Sequence, residues 1–223
     1  MARQLRRIGL LTFAIAALGL ASGQEPALGG AITERPKPYM DLKYAYTVRQ
    51  QRDFTCGAAA LATILKHHYG MPVTEEMIFW MIVNRYKPEE LKQKAEQGFS
   101  FEDLIYVAEK LGFKSQAAVV DAVELQKLNG PVILQLNLKK FDHFAVLRKK
   151  TDDLAYMSDP LTGQMTLDNA EFKTEFKGPV LAVWPSYVTG DYFSGLSVIR
   201  DPISVNRMLG SIAVPYVFSP APK

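Results

Sequence analysis

Cysteine is nearly absent: the chain of 223 residues has one, Cys56, together with three histidines. A lone cysteine excludes an internal disulfide, and without a Cys-x-x-Cys pair a thiol redox protein is a weak reading. One cysteine and three histidines make no ligand cluster, so neither a metal nor another cofactor is expected. An excess of one charge is also lacking. Lys and Arg number 26 against 23 Asp and Glu, for a formal charge of +3. Several of those arginines sit at the extreme N-terminus, so the rest is near neutral and nucleic acid is not an expected partner. Internal repeats and low-complexity tracts are missing. Hydrophobic residues make up 48% and charged residues 22%. That is the composition of one globular domain with a sizeable core.

The longest apolar run, residues 8–20, is too short for a membrane span. Arg3, Arg6 and Arg7 precede it, and the small residues Ala21, Ser22 and Gly23 follow. This is the pattern of a secretory signal over residues 1–23, which predicts a periplasmic protein that meets the membrane only through that signal. An odd cysteine in a secreted protein points to a reactive thiol or an intermolecular bridge. Residues 24–43 read as a flexible lead. Its Gly29-Gly30 pair reads as linker, with processing by another copy of the protein as the alternative.

Cys56 stands at a helix start. Ala59, Leu61, Ala62, Ile64 and Leu65 have helical spacing, and Gly70 terminates the run. The partial positive charge at a helix N-terminus favours a thiolate. Gly57 is expected to leave open space beside the sulfur for a substrate backbone. Lys66, His67 and His68 fall in the last turn, as helix-end cations or partial core residues.

Before the cysteine, residues 44–48 alternate in strand fashion. After it, Thr74 can cap a helix, residues 87–97 read as a solvated helix, and Ser100 with Asp103 resembles a capping box for a helix ended by Gly112. A short helix is expected over 121–128. The second half changes to strands at 132–137, 143–148, 154–157, 164–167 and 180–184, with a short helix at 169–176. Helices followed by strands predict an α+β domain over residues 44–185, its N-terminal helices packed on a C-terminal antiparallel sheet. Residues 186–223 are too apolar for a solvated tail and form an extension that packs back on the domain or meets a partner.

A cysteine nucleophile needs a base and a group to orient that base. His67 and His68 lie roughly 16–18 Å down the helix from Cys56, too far for contact. His143 remains, at the start of a strand. Asp159 ends the next strand, ahead of Pro160. If the two strands pair as a hairpin, the start of one lies beside the end of the other, and His143 and Asp159 become neighbours. Asp142 faces the other way, because successive strand residues alternate.

In this order, a glutamine, Cys-Gly at a helix start, His-Phe-Ala-Val and Asp-Pro resemble the papain-like double-glycine leader peptidases. These are the peptidase domains of bacteriocin-exporting ABC transporters. The resemblance spans about residues 44–184 and implies a papain-like cysteine peptidase fold. It implies Cys56 as nucleophile, His143 as base and acid, Asp159 as its orienting group, and Gln50 rather than Gln51 as the oxyanion donor. Thr55 departs from the family, whose transporter members commonly carry aspartate there. The secretory signal makes the chain more similar to free-standing periplasmic members, including those that accompany functional amyloid export in pseudomonads. The implied substrate is a polypeptide cut after small residues such as Gly-Gly, with an exported or amyloid-forming protein as a candidate and an export system as a partner. A cell-wall amidase on the same scaffold, or a module that binds an export client without cutting it, stays open as an alternative.

Overall fold

The computed structural model describes residues 37–138, 141–186 and Leu196. The expected signal, the Gly29-Gly30 pair and most of the C-terminal extension lie outside them. No helix among the described residues is long and apolar enough to cross a membrane.

Among the described residues, six α-helices precede or flank a single sheet. They are α1 (Tyr39–Lys43), α2 (Cys56–His67), α3 (Glu75–Val83), α4 (Pro88–Gln97), α5 (Phe101–Lys110) and α6 (Asn169–Glu175). The strands are β1 (Phe113–Val119), β2 (Val132–Leu138), β3 (Phe141–Lys150), β4 (Leu154–Asp159), β5 (Gly163–Asp168) and β6 (Phe176–Pro185). They pair in the order β1-β6-β2-β3-β4-β5, every pair antiparallel. The fold is α+β, with helices packed on an antiparallel sheet.

Helix α2 is the axis of the packing. All ten residues from Cys56 to Leu65 are buried, as suits a helix apolar on every side. Its neighbours Leu104, Val107, Ile78 and Ile82 join Ile133, Val146, Leu181 and Val183 of the sheet in one core. The opposite sheet face buries Leu134, Leu136, Ala145, Leu147 and Met157 under Phe172 of α6 and Leu125. Strand β2 therefore feeds both faces, which is why it reads as a continuous apolar run rather than an alternating one.

Local chemistry sets the helix ends. The Thr74 side chain accepts the Met77 N–H at 3.2 Å. Ser100 and Asp103 form a reciprocal capping box at α5. The same buried Asp103 receives Lys94 Nζ of α4 at 2.7 Å, the Tyr86 hydroxyl, and Arg85 at 3.4 Å. Burial would raise its pKa, but these partners and the Ser100 N–H hold it below the ordinary value. Helix α4 buries no residue, and this charged contact ties it down.

Three expectations are corrected. Residues 44–48 are no strand. A turn over 44–46 follows α1, with Tyr46 at φ 58°, and the segment bonds to side chains and loops instead of a neighbouring strand. Strand β1 was not foreseen, and the helix expected over 121–128 shrinks to a 3-10 turn at Glu124–Lys127. Of the extension beyond Ser186 only Leu196 is described. It is buried in the helix-side core, and its carbonyl accepts Arg148 Nε at 3.0 Å.

Candidate active site

Cys56 is the first residue of α2. The N-cap Thr55 does not cap the helix with its side chain. Its hydroxyl instead donates to the Arg52 carbonyl at 2.9 Å and accepts the Arg52 N–H at 3.3 Å. Thr55 thus closes the loop 52–55 on itself. The first helical turn has no intrahelical acceptor for its N–H groups, so they remain available as donors at the helix end that carries the sulfur. Arg52 lies over the Phe79 ring at 4.3 Å, and Phe54 packs on Phe79 and Phe99, which fixes the loop against α3.

His143 and Asp159 come from adjacent strands. Val146 of β3 pairs with Ser158 of β4, and this register brings His143 Nε2 to 2.9 Å from Asp159 Oδ2. Cys56 also acts on the His143 imidazole, and with Nε2 held by Asp159, Nδ1 is the ring atom left for the sulfur. Cys56 and His143 are each 8% exposed and Asp159 is fully buried. Burial alone would lower the His143 pKa. Hydrogen bonds to Asp159 and Cys56, and the charges of both, outweigh it and push the pKa up to about 9. Asp159 is held below its ordinary value despite burial, by His143 and by the N–H groups of Thr162 and Leu161. Those N–H groups donate to Oδ1 at 2.8 and 2.7 Å. They form an Asx-type turn, whose signal in the sequence is the run Asp159-Pro160-Leu161-Thr162-Gly163.

Gln50 reaches the same turn through its backbone. Its N–H donates to the Pro160 carbonyl at 3.1 Å. Its side-chain amide donates to the Arg52 carbonyl at 3.1 Å, while Oε1 is buried without a hydrogen-bond partner. An amide nitrogen has two hydrogens, so one donor is left over. Gln51 is exposed and its amide turns back to the Arg49 carbonyl at 3.3 Å.

Two readings of the sequence fail here. A Cβ on Gly57 would lie 3.0 Å from Phe144 Cδ2 and 3.4 Å from Leu104. The glycine makes room for the core of the protein, not for substrate. Of the two readings of His67 and His68, helix-end cation fails and partial core residue holds. Burial, with Lys66 adding repulsion at His67, pushes both down to about 4, so both are neutral at pH 7.

A thiol beside an imidazole that is hydrogen-bonded to a carboxylate can carry out acyl transfer. The imidazole takes the thiol proton, and the carboxylate fixes its tautomer. Relatives are found by sequence. The pattern of the Peptidase C39 family matches residues 44–187. The protein of Pseudomonas aeruginosa named "Probable functional amyloid protease FapD" is 33% identical over 160 residues, 71% of this chain and 70% of that one. The protein of the same name from Pseudomonas fluorescens is 30% identical over 175 residues, 78% of this chain and 74% of that one. Among solved structures, a double glycine motif protease from an AMS/PCAT transporter, in complex with its leader peptide, superposes with a TM-score of 0.53. It is 26% identical, and the match covers 62% of this chain and 90% of that one. The chain is therefore a member of the Peptidase C39 family, and a cysteine peptidase.

Proposed function

We propose that this peptidase works in the periplasm, where it cleaves a polypeptide after small residues such as Gly-Gly in support of protein export or maturation. Cys56 at the start of α2, acting on a His143 imidazole that is hydrogen-bonded to the buried Asp159, carries the reading. As a thiolate, Cys56 attacks the scissile carbonyl. The free donor of the Gln50 amide and an N–H of the first turn of α2 receive the oxyanion. His143 protonates the leaving amine, which departs and leaves a thioester on Cys56. It then takes a proton from water, whose oxygen attacks the thioester and releases the acid. Asp159 keeps the imidazole in register throughout.

Compartment rests on the signal-like residues 1–23. The choice of substrate rests on two similarities. A double glycine motif protease shares the fold, and proteins named as functional amyloid proteases share about a third of the matched sequence. An exported, amyloid-forming protein is thus the first substrate to try. The test is to map the N-termini of periplasmic and secreted proteins in cells with the wild-type chain or with Cys56→Ala. N-termini that directly follow Gly-Gly or a similar small pair, present only with the wild type, are the expected result. Identical sets in both cells would rule the proposal out.

A further inference from the structure

The turn that carries Asp159 is gripped from outside the sheet by residues 42–50. The Pro160 carbonyl accepts the Gln50 N–H at 3.1 Å. The Leu161 carbonyl accepts the Tyr44 hydroxyl at 2.5 Å. Gly163 has φ +84°, and a Cβ there would lie 2.5 Å from the Lys43 carbonyl oxygen, so only glycine lets the two backbones close. Gln164 Nε2 donates to the carbonyls of Ala45 at 2.6 Å and Leu42 at 3.4 Å. Its Oε1 accepts Arg148 Nη1 at 2.8 Å, from the strand that bears His143. The same segment reaches α2, where the Val48 N–H donates to Thr63 Oγ1 at 2.9 Å.

We infer that residues 42–50 are a strap that sets Gln50 and the Asp159 turn in register with Cys56, and that Gln164 is its positioning residue. The inference rests on the catalytic reading of Cys56, His143, Asp159 and Gln50. Gln164 touches none of the reacting atoms and acts through the strap. An amide suits the place because it offers donors on one atom and an acceptor on the other. Arg148 takes the acceptor, and the two strap carbonyls take the donors. The segment has no strand partner; these bonds hold it, together with Val48 against the helix-side core and Tyr46 edge-on to His67.

Two measurements on the full chain test this. The first is the pH dependence of Cys56 alkylation by iodoacetamide, which reads one site because there is one cysteine. His143 faces Cys56 from α2 and Asp159 from the end of β4, and Glu175 of α6 acts in turn on Asp159. With His143 titrating at about 9, the imidazolium beside Cys56 persists in the wild type until the pH rises through that value. In Gln164→Ala a loosened Asp159 supports the imidazolium less, so the break moves to lower pH. The second is hydrolysis of a synthetic peptide containing Gly-Gly. There kcat should fall about 10- to 100-fold with KM little changed, as a small misplacement of a catalytic group does. Tyr44→Phe, which deletes one hydroxyl, should shift both readouts in the same direction by less. An unmoved alkylation profile in Gln164→Ala would overturn the inference, whether kcat is unchanged or falls only with the folded fraction seen by circular dichroism. Should the wild type hydrolyse nothing, the catalytic reading fails, and the alkylation profile alone still decides the strap.

Discussion

Gln50 and Gln51 are neighbours with opposite environments. Gln51 is exposed, with its N–H on Glu75 Oε1 at 3.4 Å and its amide on the Arg49 carbonyl. Gln50 is half-buried, tied by its backbone to the turn beside Asp159. Each side-chain amide keeps one hydrogen unused, but Gln50 is the one half-buried beside the Asp159 turn, where it can serve an oxyanion. Loss of such a donor costs on the order of a hundredfold or more in turnover. Gln50→Ala should show that loss in kcat on a Gly-Gly peptide, and Gln51→Ala should keep wild-type turnover. Equal losses in both variants, or a loss confined to Gln51→Ala, would remove Gln50 from the mechanism. That the two face opposite ways was legible in sequence, because extended neighbours alternate; which of them serves the oxyanion came from the resemblance. The partial pairing of Gln50 with the Arg52 carbonyl was not, since it depends on how the loop closes through Thr55.

At the level of elements, the site is a meeting of α2 with the β3–β4 hairpin. Gly57 governs how closely they approach, with Phe144 next to His143 on the far side. Alanine favours helices more than glycine does, but a methyl 3.0 Å from the Phe144 ring must push it. Gly57→Ala should lower stability by about 1–3 kcal/mol, the usual range for overpacking, and weaken turnover as β3 shifts. Denaturant unfolding checks it. A variant as stable and active as the wild type would show that Phe144 yields freely. Sequence reading took this glycine for a substrate gap because a missing Cβ looks the same whichever neighbour fills the space. Caps at Thr74 and Ser100 were legible, since cap chemistry lies within four residues. So was the His143–Asp159 contact, through the hairpin. Strand β1 was hidden: Phe113–Val119 is an edge strand that buries no residue and shows no apolar-polar alternation through Gln116-Ala117-Ala118-Val119. The strap was mistaken for a strand, because its alternating residues are held by Leu161, Gln164 and Thr63, distant in sequence.

For the whole molecule, one sheet separates two cores, and the reactive line lies where α2 meets the end of the β3–β4 hairpin. Rigid elements therefore bear Cys56, His143 and Asp159, and only Gln50 comes from a loop. The α+β class followed from the order of helices and strands. The strand order did not, because β6 inserts between β1 and β2, and such a long-range pairing leaves no local mark. The central claim is that Cys56 is the nucleophile of a peptidase. Its most direct test is the hydrolysis of a synthetic Gly-Gly peptide by the purified full chain and by Cys56→Ala, followed by mass spectrometry. The account predicts cleavage after the second glycine by the wild type and none by Cys56→Ala, with equal circular dichroism for both proteins. Cleavage by Cys56→Ala at the wild-type rate would contradict it.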